Sequence, residues 1–166
     1  IEVQLTDARL PYIIKQINGP TIIYTDFVGN SDSSNETILK KILNAVKDAG
    51  YTVDTHSGEI KSGLKKFRDG DVDVLVATKS ISTGVDGLQK RCSNLIFNTI
   101  PWTHALYEQI TGRIIRNGQK NLVTIHLNLV EIGGLPYDES KLLDKLEYKK
   151  KVAQAAVDGS IPSEQK

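Results

Sequence analysis

The sequence has no methionine, not even at position 1, and a single cysteine, Cys92, among its 166 residues. The missing initiator gives the expectation that the chain is a piece of a longer protein. One cysteine excludes an internal disulfide and suits a reduced, intracellular setting, whether cytoplasm, nucleus, or a viral or bacterial cytosol. No apolar run approaches the roughly 18 residues of a membrane span, and no signal peptide opens the chain, so no membrane partner is expected. Charge of one sign is scarce too: a net charge of +1 leaves any contact with a polyanion to a local patch. Two phosphate-chemistry signatures are also missing. There is no G-x-x-x-x-G-K-[S/T] loop to cradle phosphates, and no D-E-x-H or D-E-A-D tetrad to hold magnesium and orient water. Gly58 to Gly63 contains a lysine, but at the wrong spacing.

What is present is an ordinary globular composition, 39% apolar and 25% charged, in a length that suits one domain with a real core. Thr6 to Ile17 forms a short amphipathic helix with Leu10, Ile13, Ile14 and Ile17 on one side, and Gly19-Pro20 breaks it. Thr21 to Phe27 is β-branched and aromatic, a buried strand. After a Ser- and Asn-rich loop, Glu36 to Ala49 carries Ile38, Ile42, Leu43 and Val46 inward, and Gly50 closes it. A second strand spans Tyr51 to Thr55, and the next helix turns Ile60, Leu64 and Phe67 inward. Strand three, Val72 to Thr78, lacks alternation, as expected when both faces are covered. Strands four and five are Asn94 to Thr99 and Leu122 to Leu129. This alternation predicts an α/β fold with a doubly wound parallel sheet and helices on both faces. Right-handed crossovers then place the strand-to-helix loops at one edge, where ligands bind. The domain is expected to span 1–137, followed by a helical extension and tail over 138–166, with Leu142, Leu143 and Leu146 on the apolar face of one helix and a basic run at Lys149-Lys150-Lys151.

The stretch Tyr107 to Gln119 carries the sharpest signal. As one helix it sets Gln109, Gly112, Arg113 and Arg116 on a single polar face, opposite Leu106, Ile110 and Ile114, and Gly118 stops it. Two arginines one turn apart beside a glycine suit a polyanion such as a nucleoside triphosphate, and would stabilise charge rather than attack. From spacing alone, an exposed helix whose arginines pair with nearby carboxylates fits at least as well. The loop after strand three, with Thr78, Lys79 and Ser80 and then Gly84 and Asp86, offers hydroxyls, amides and an ammonium suited to a sugar-phosphate backbone. A Ser/Thr-rich turn capped by Asp is the plainer alternative. His56, Ser57 and Gly58 end strand two, where the loop presents amides and a hydroxyl to phosphate. Lys61, Lys65 and Lys66 add either a phosphate-contacting patch or a solvated helix face. His56 is given no acid-base role. Trp102 is expected to pack rather than stack on a base. No metal ligands are expected.

Q-x-x-G-R-x-x-R-x-G-Q resembles the last motif of superfamily-two helicases and translocases. A-T-x-x-x-x-x-G-x-D, from Ala77 to Asp86, resembles their fifth, and Tyr24-Thr25-Asp26-Phe27 sits where the fourth lies. Arg116-Asn117-Gly118-Gln119, with Pro101 to Gln109 upstream, is similar in particular to the chromatin-remodeller branch. The Gly84-Val85-Asp86 loop is closer to general helicases. The resemblance covers residues 21 to 130 and implies the second RecA-like domain of such a motor. By position it makes Gln109, Arg113 and Arg116 catalytic, with the arginines acting as fingers at the ATP γ-phosphate. Gly84, Asp86 and Gly112 would face the nucleotide, and Thr78, Lys79, Ser80, His56, Ser57 and Gly58 the nucleic acid. ATP and Mg2+ would be held mainly by an upstream RecA-like domain, so this chain alone is expected not to hydrolyse ATP. Double-stranded DNA is favoured as substrate over RNA. The alternative is a non-catalytic RecA-like module that binds nucleic acid or protein.

Overall fold

The computed structural model describes residues 8–26, 37–58, 60–136, 147, 148, 150–152, 154 and 155. Five parallel strands form one sheet in the order β2-β3-β1-β4-β5: β1 Thr21–Tyr24, β2 Val53–His56, β3 Val74–Ala77, β4 Asn94–Phe97 and β5 Thr124–Leu127. All five strands begin and end within a few residues of the bounds read from sequence. His56 proves to be the last residue of β2 and not the first of its loop.

Both faces of the sheet are covered, as the unbroken apolar runs required. On one face α1 (Leu10–Gln16) and α2 (Ile38–Asp48) bury Ile13, Ile17, Leu39, Ile42 and Val46 against Ile23, Val74, Val76 and Ile96. On the other, α3 (Ser62–Asp69), α4 (His104–Thr111) and the turn after it bring Phe67, Ile110 and Ile114 onto Ile22, Tyr24, Leu75, Leu95 and Phe97. Successive residues of a strand point to opposite faces, so Ile22 and Ile23 serve different cores. α2 starts where the Thr37 hydroxyl accepts from the Lys40 amide, and α4 where Thr103 accepts from Leu106. A hairpin of β6 (Glu131–Ile132) and β7 (Leu135–Pro136), which has no clear periodic signal, follows β5. The expected 137/138 boundary, Phe27 and Leu142, Leu143 and Leu146 lie outside the described residues, whereas 147, 148, 150–152, 154 and 155 are helical.

One close approach sets the position of α3. A Cβ at Gly63 would lie 2.2 Å from the Thr55 carbonyl oxygen of β2, so only glycine lets the helix sit this low on the strand. Thr55 is itself held, its hydroxyl donating to the Val76 carbonyl at 3.0 Å. Gly63→Ala should therefore destabilise the fold by about 2 kcal/mol or more, read as a drop in urea midpoint with unchanged slope. A neutral result would mean that α3 is free to lift off β2.

Two histidines, His56 buried and His126 half-buried, give the fold a pH dependence. Burial lowers the pKa of His56 and of His126, whose Nε2 lies 3.0 Å from Asn94 Oδ1, below the ordinary 6.5. The unfolded chain takes up protons at the ordinary value while the folded chain resists. Their contribution is thus complete above that value and declines as pH falls through the depressed folded values. The thermal midpoint should drop between about pH 7.5 and about pH 5.5, and a His56→Gln/His126→Gln double variant should show a shallower drop. An unchanged slope would assign the effect to other groups.

Candidate nucleotide and nucleic-acid site

The register of the sheet aligns His56, Ala77, Tyr24, Phe97 and Leu127 across its carboxyl edge. The next residue on every strand is polar: Ser57, Thr78, Thr25, Asn98 and Asn128. Strands spaced about 4.8 Å apart make this a crest of hydroxyls and amides. Much of it is internally satisfied. Asn98 Nδ2 donates to Thr25 Oγ1 at 3.2 Å, the Asp26 amide to Thr99 Oγ1 at 2.7 Å, and Ser80 Oγ to the His56 carbonyl at 3.2 Å.

The residues expected at nucleic acid divide along this edge. Lys79 and Gly58 are exposed, Ser80 is half-buried, and His56, Ser57 and Thr78 are buried. His56 Nδ1 is buried with no hydrogen-bond partner, and burial, together with the charges of Lys61 and Arg68, favours the neutral imidazole. The Ser57 hydroxyl accepts from the Ile60 amide at 3.1 Å, which makes it first of all the lock of its own turn. Lys65 and Lys66 pair with Asp69 and Asp54, so the lysine face of α3 is largely neutralised within the fold. Trp102 is 67% exposed, against the expectation that it would pack. Its neighbours Ile100 and Pro101 are buried instead, and Thr103 starts α4, which leaves the indole on the outer side of a fixed turn.

The arginine stretch departs from the single helix expected. α4 ends at Thr111, and residues 112–118 follow as irregular turns. Thr111 Oγ1 donates back to the Tyr107 and Glu108 carbonyls, Gly112 follows, and β-branched Ile114 and Ile115 come next, all weak helix propagators. Gln109, Gly112, Arg113 and Arg116 therefore do not share one helical face. Gln109 is exposed on α4, and Ile110 and Ile114 are buried as expected. Gly118, at φ 94°, makes the left-handed turn that closes the segment.

What brings the arginines together is the loop after β3. Lys79–Ser82 forms a short 3-10 turn, and the chain then crosses beneath Arg113. The Arg113 guanidinium donates to the Val85 carbonyl at 2.8 Å and to the Ser82 carbonyl, and lies 4.0 Å from Asp86. Arg116 Nη1 meets Asp86 Oδ1 at 2.7 Å, on a pair whose side chains are 41% and 80% exposed. The carboxylate pairing that spacing alone allowed is thus present, and its partner is another predicted site residue. Gly84, at φ 64°, has open space around it. Sequence reasoning missed Arg68, whose Nη1 donates to the Asp86 carbonyl at 3.2 Å. It also missed Asp26, whose carboxyl accepts from the Tyr24 hydroxyl and is raised in pKa by burial. Arg68 carries no periodic signal pointing across to that loop, and Asp26, although within the segment at the fourth-motif position, none for its contact with Tyr24.

The donors fit a phosphate: two guanidiniums at the carboxyl edge, with Arg116 part-exposed. Among the described residues no group of three or more His, Cys, Asp and Glu is gathered as for a metal ion. A cleft of about 560 Å³ between α4, Leu127 and described residues of the tail contains none of the predicted site residues. No helix among the described residues is long and apolar enough to cross a membrane.

The chain is 29% identical over 161 residues to the probable ATP-dependent RNA helicase ddx41 of Dictyostelium discoideum, covering 95% of the chain but 23% of that relative's length. Among solved structures it is similar to the E. coli DEAD-box protein SrmB bound to the regulator RraA, with TM-score 0.62, 21% identity and coverage of 85% of this chain and 78% of that one. It is also similar to the RNA helicase Prp28 of Chaetomium thermophilum bound to ADP, with TM-score 0.61, 19% identity and coverage of 94% and 36%. S. cerevisiae Dbp5 bound to RNA and ADP BeF3 gives TM-score 0.57 at 18% identity, covering 85% and 34%. The fold is the RecA-like helicase C-terminal fold.

These relatives lend no support to the expected remodeller-type branch or to the preference for double-stranded DNA. The residues behind that expectation have local work. Gln119 Nε2 donates to the Cys92 carbonyl at 2.9 Å and the Ile114 carbonyl at 3.3 Å, and the Asn117 carbonyl accepts from Gln89. Arg-Asn-Gly-Gln closes a turn, a task with no tie to one substrate. The model of the helicase conserved C-terminal domain matches residues 6–118, and the chain belongs to that family.

Proposed function

We propose that this chain is the second motor domain of an ATP-dependent RNA helicase, with a domain boundary near residue 137. In this reading an upstream RecA-like domain holds ATP and Mg2+, and the chain alone does not turn over ATP. The observation that carries the reading is the gathering of Arg113 and Arg116 with Asp86 at the carboxyl edge, from two separate loops. The choice of RNA rests on relatives named as RNA helicases.

ATP supplies the phosphoryl group whose transfer to water releases free energy. The chain's own residues would hold and neutralise the terminal phosphate with Arg113 and Arg116, and Gln109 would lie beside them on α4. Gly84, Gly112 and Asp86 would border the nucleotide. A charged guanidinium fixed where negative charge develops lowers the barrier without giving up a proton. Thr78, Lys79 and Ser80, with the Ser57-Gly58 turn, would contact the RNA backbone through hydroxyl, amide and ammonium, which suits phosphate contacts that position without reading sequence. Closure of the two domains would join the sites, and reopening would release the strand.

One observation favours the non-catalytic alternative: both arginines already have partners within the chain. RNA-stimulated ATP turnover by a protein carrying this chain with its upstream domain separates the two. Arg116→Ala should lower turnover about a hundredfold or more at unchanged RNA affinity and thermal midpoint. Turnover at the unsubstituted rate would leave Arg116 a surface residue and favour a binding module.

A further inference from the structure

We propose that Arg68 is a positioning residue for Arg116, acting through the turn Asp86-Gly87. The proposal rests on the reading of Arg116 given above. Arg68 lies in the last turn of α3, which cannot shift on the sheet because Phe67 is fully buried and Gly63 sits directly on the Thr55 carbonyl. From that fixed mount its guanidinium donates to the Asp86 carbonyl at 3.2 Å. Its Cδ lies 3.7 Å from where a Cβ on Gly87 would be, and Gly87 itself has φ 87°. The Asp86 backbone is therefore gripped by Arg68, while its carboxylate grips Arg116 at 2.7 Å.

This division of labour sets Arg68 apart from the other cations of α3. Lys65 and Lys66 end on Asp69 and Asp54, within or beside the helix, whereas Arg68 crosses to the loop. Without it, an Asp86 side chain that is 80% exposed would follow Arg116 rather than place it. Arg68 touches no reacting atom in this account, and the loss falls on the orientation of a group that does. A misplacement on the scale of an ångström at a charge-stabilising group is enough to slow turnover strongly.

The test uses a protein carrying this chain with its upstream domain, and compares Arg68→Ala, Arg68→Lys, Arg116→Ala and the Arg68→Ala/Arg116→Ala pair. Arg68→Ala should lower kcat for RNA-stimulated ATP turnover about tenfold, with KM for ATP, RNA affinity and thermal midpoint little changed. Arg68→Lys, which keeps a donor but not the planar fork, should recover part of the loss. In the Arg116→Ala background, Arg68→Ala should add almost nothing, because the two residues act as a unit. A full additional loss in that background, or an unaffected kcat for both Arg68 variants, would overturn the positioning role while leaving the finger reading intact. Should Arg68→Ala fail to fold, Arg68→Lys alone and combined with Arg116→Ala carries the same comparison. A normal rate for Arg116→Ala would sink the finger reading, and the Arg68 proposal with it.

Discussion

A parallel sheet buried on both faces leaves little but its edges for chemistry, and every functional feature of this chain follows from that constraint. Val74 to Ala77 and Leu95 to Phe97 are fully enclosed, so no polar group can emerge from the middle of those strands without loss. The carboxyl edge escapes the constraint because each strand ends there in a polar residue whose backbone groups turn toward a loop. The same edge receives the start of α3 and α4, where unpaired amides gather. Placement of the site is thus a consequence of the core, and of α3 and α4 sharing one face.

At that edge one part-buried side chain braces two loops. Arg113 spans the carbonyls of Ser82 and Val85, so the segment after α4 and the segment after β3 behave as one piece. Its side chain is 22% exposed and its Nε is buried, a placement suited to bracing as much as to contact with a ligand. Arg116, two residues past the buried Ile114 and more open to solvent, is the better candidate to reach outward. Its pairing with Asp86 is a surface ion pair of small net worth, readily exchanged for a more highly charged anion. The two arginines that look equivalent in the sequence are therefore unequal in the fold.

The architecture was legible because its signals are periodic. Runs of apolar residues marked β1, β3 and β4, and the faces of α2 and α3 read correctly from Ile42, Val46 and Phe67. Two features resisted. The end of α4 at Thr111 depends on a hydroxyl folding back on Tyr107 and Glu108, and on how deeply Ile114 must bury, neither of which shows in a repeat of apolar positions. Arg68 had no signal in the sequence, since its partner lies 18 residues away on another loop and is a backbone carbonyl. The remodeller-like ending of the motif finds no support for a similar reason: Asn117, Gly118 and Gln119 resemble a branch signature, but in the fold they close a turn.

The most direct measurement is the structure of a protein carrying this chain and its upstream domain, bound to RNA and a nucleotide with a γ-phosphate mimic. The account predicts that the Arg116 guanidinium leaves Asp86 and lies at hydrogen-bonding distance, about 3 Å, from the mimic, with Arg113 still spanning the loop after β3. Arg116 remaining on Asp86 in a closed, fully loaded complex would contradict it.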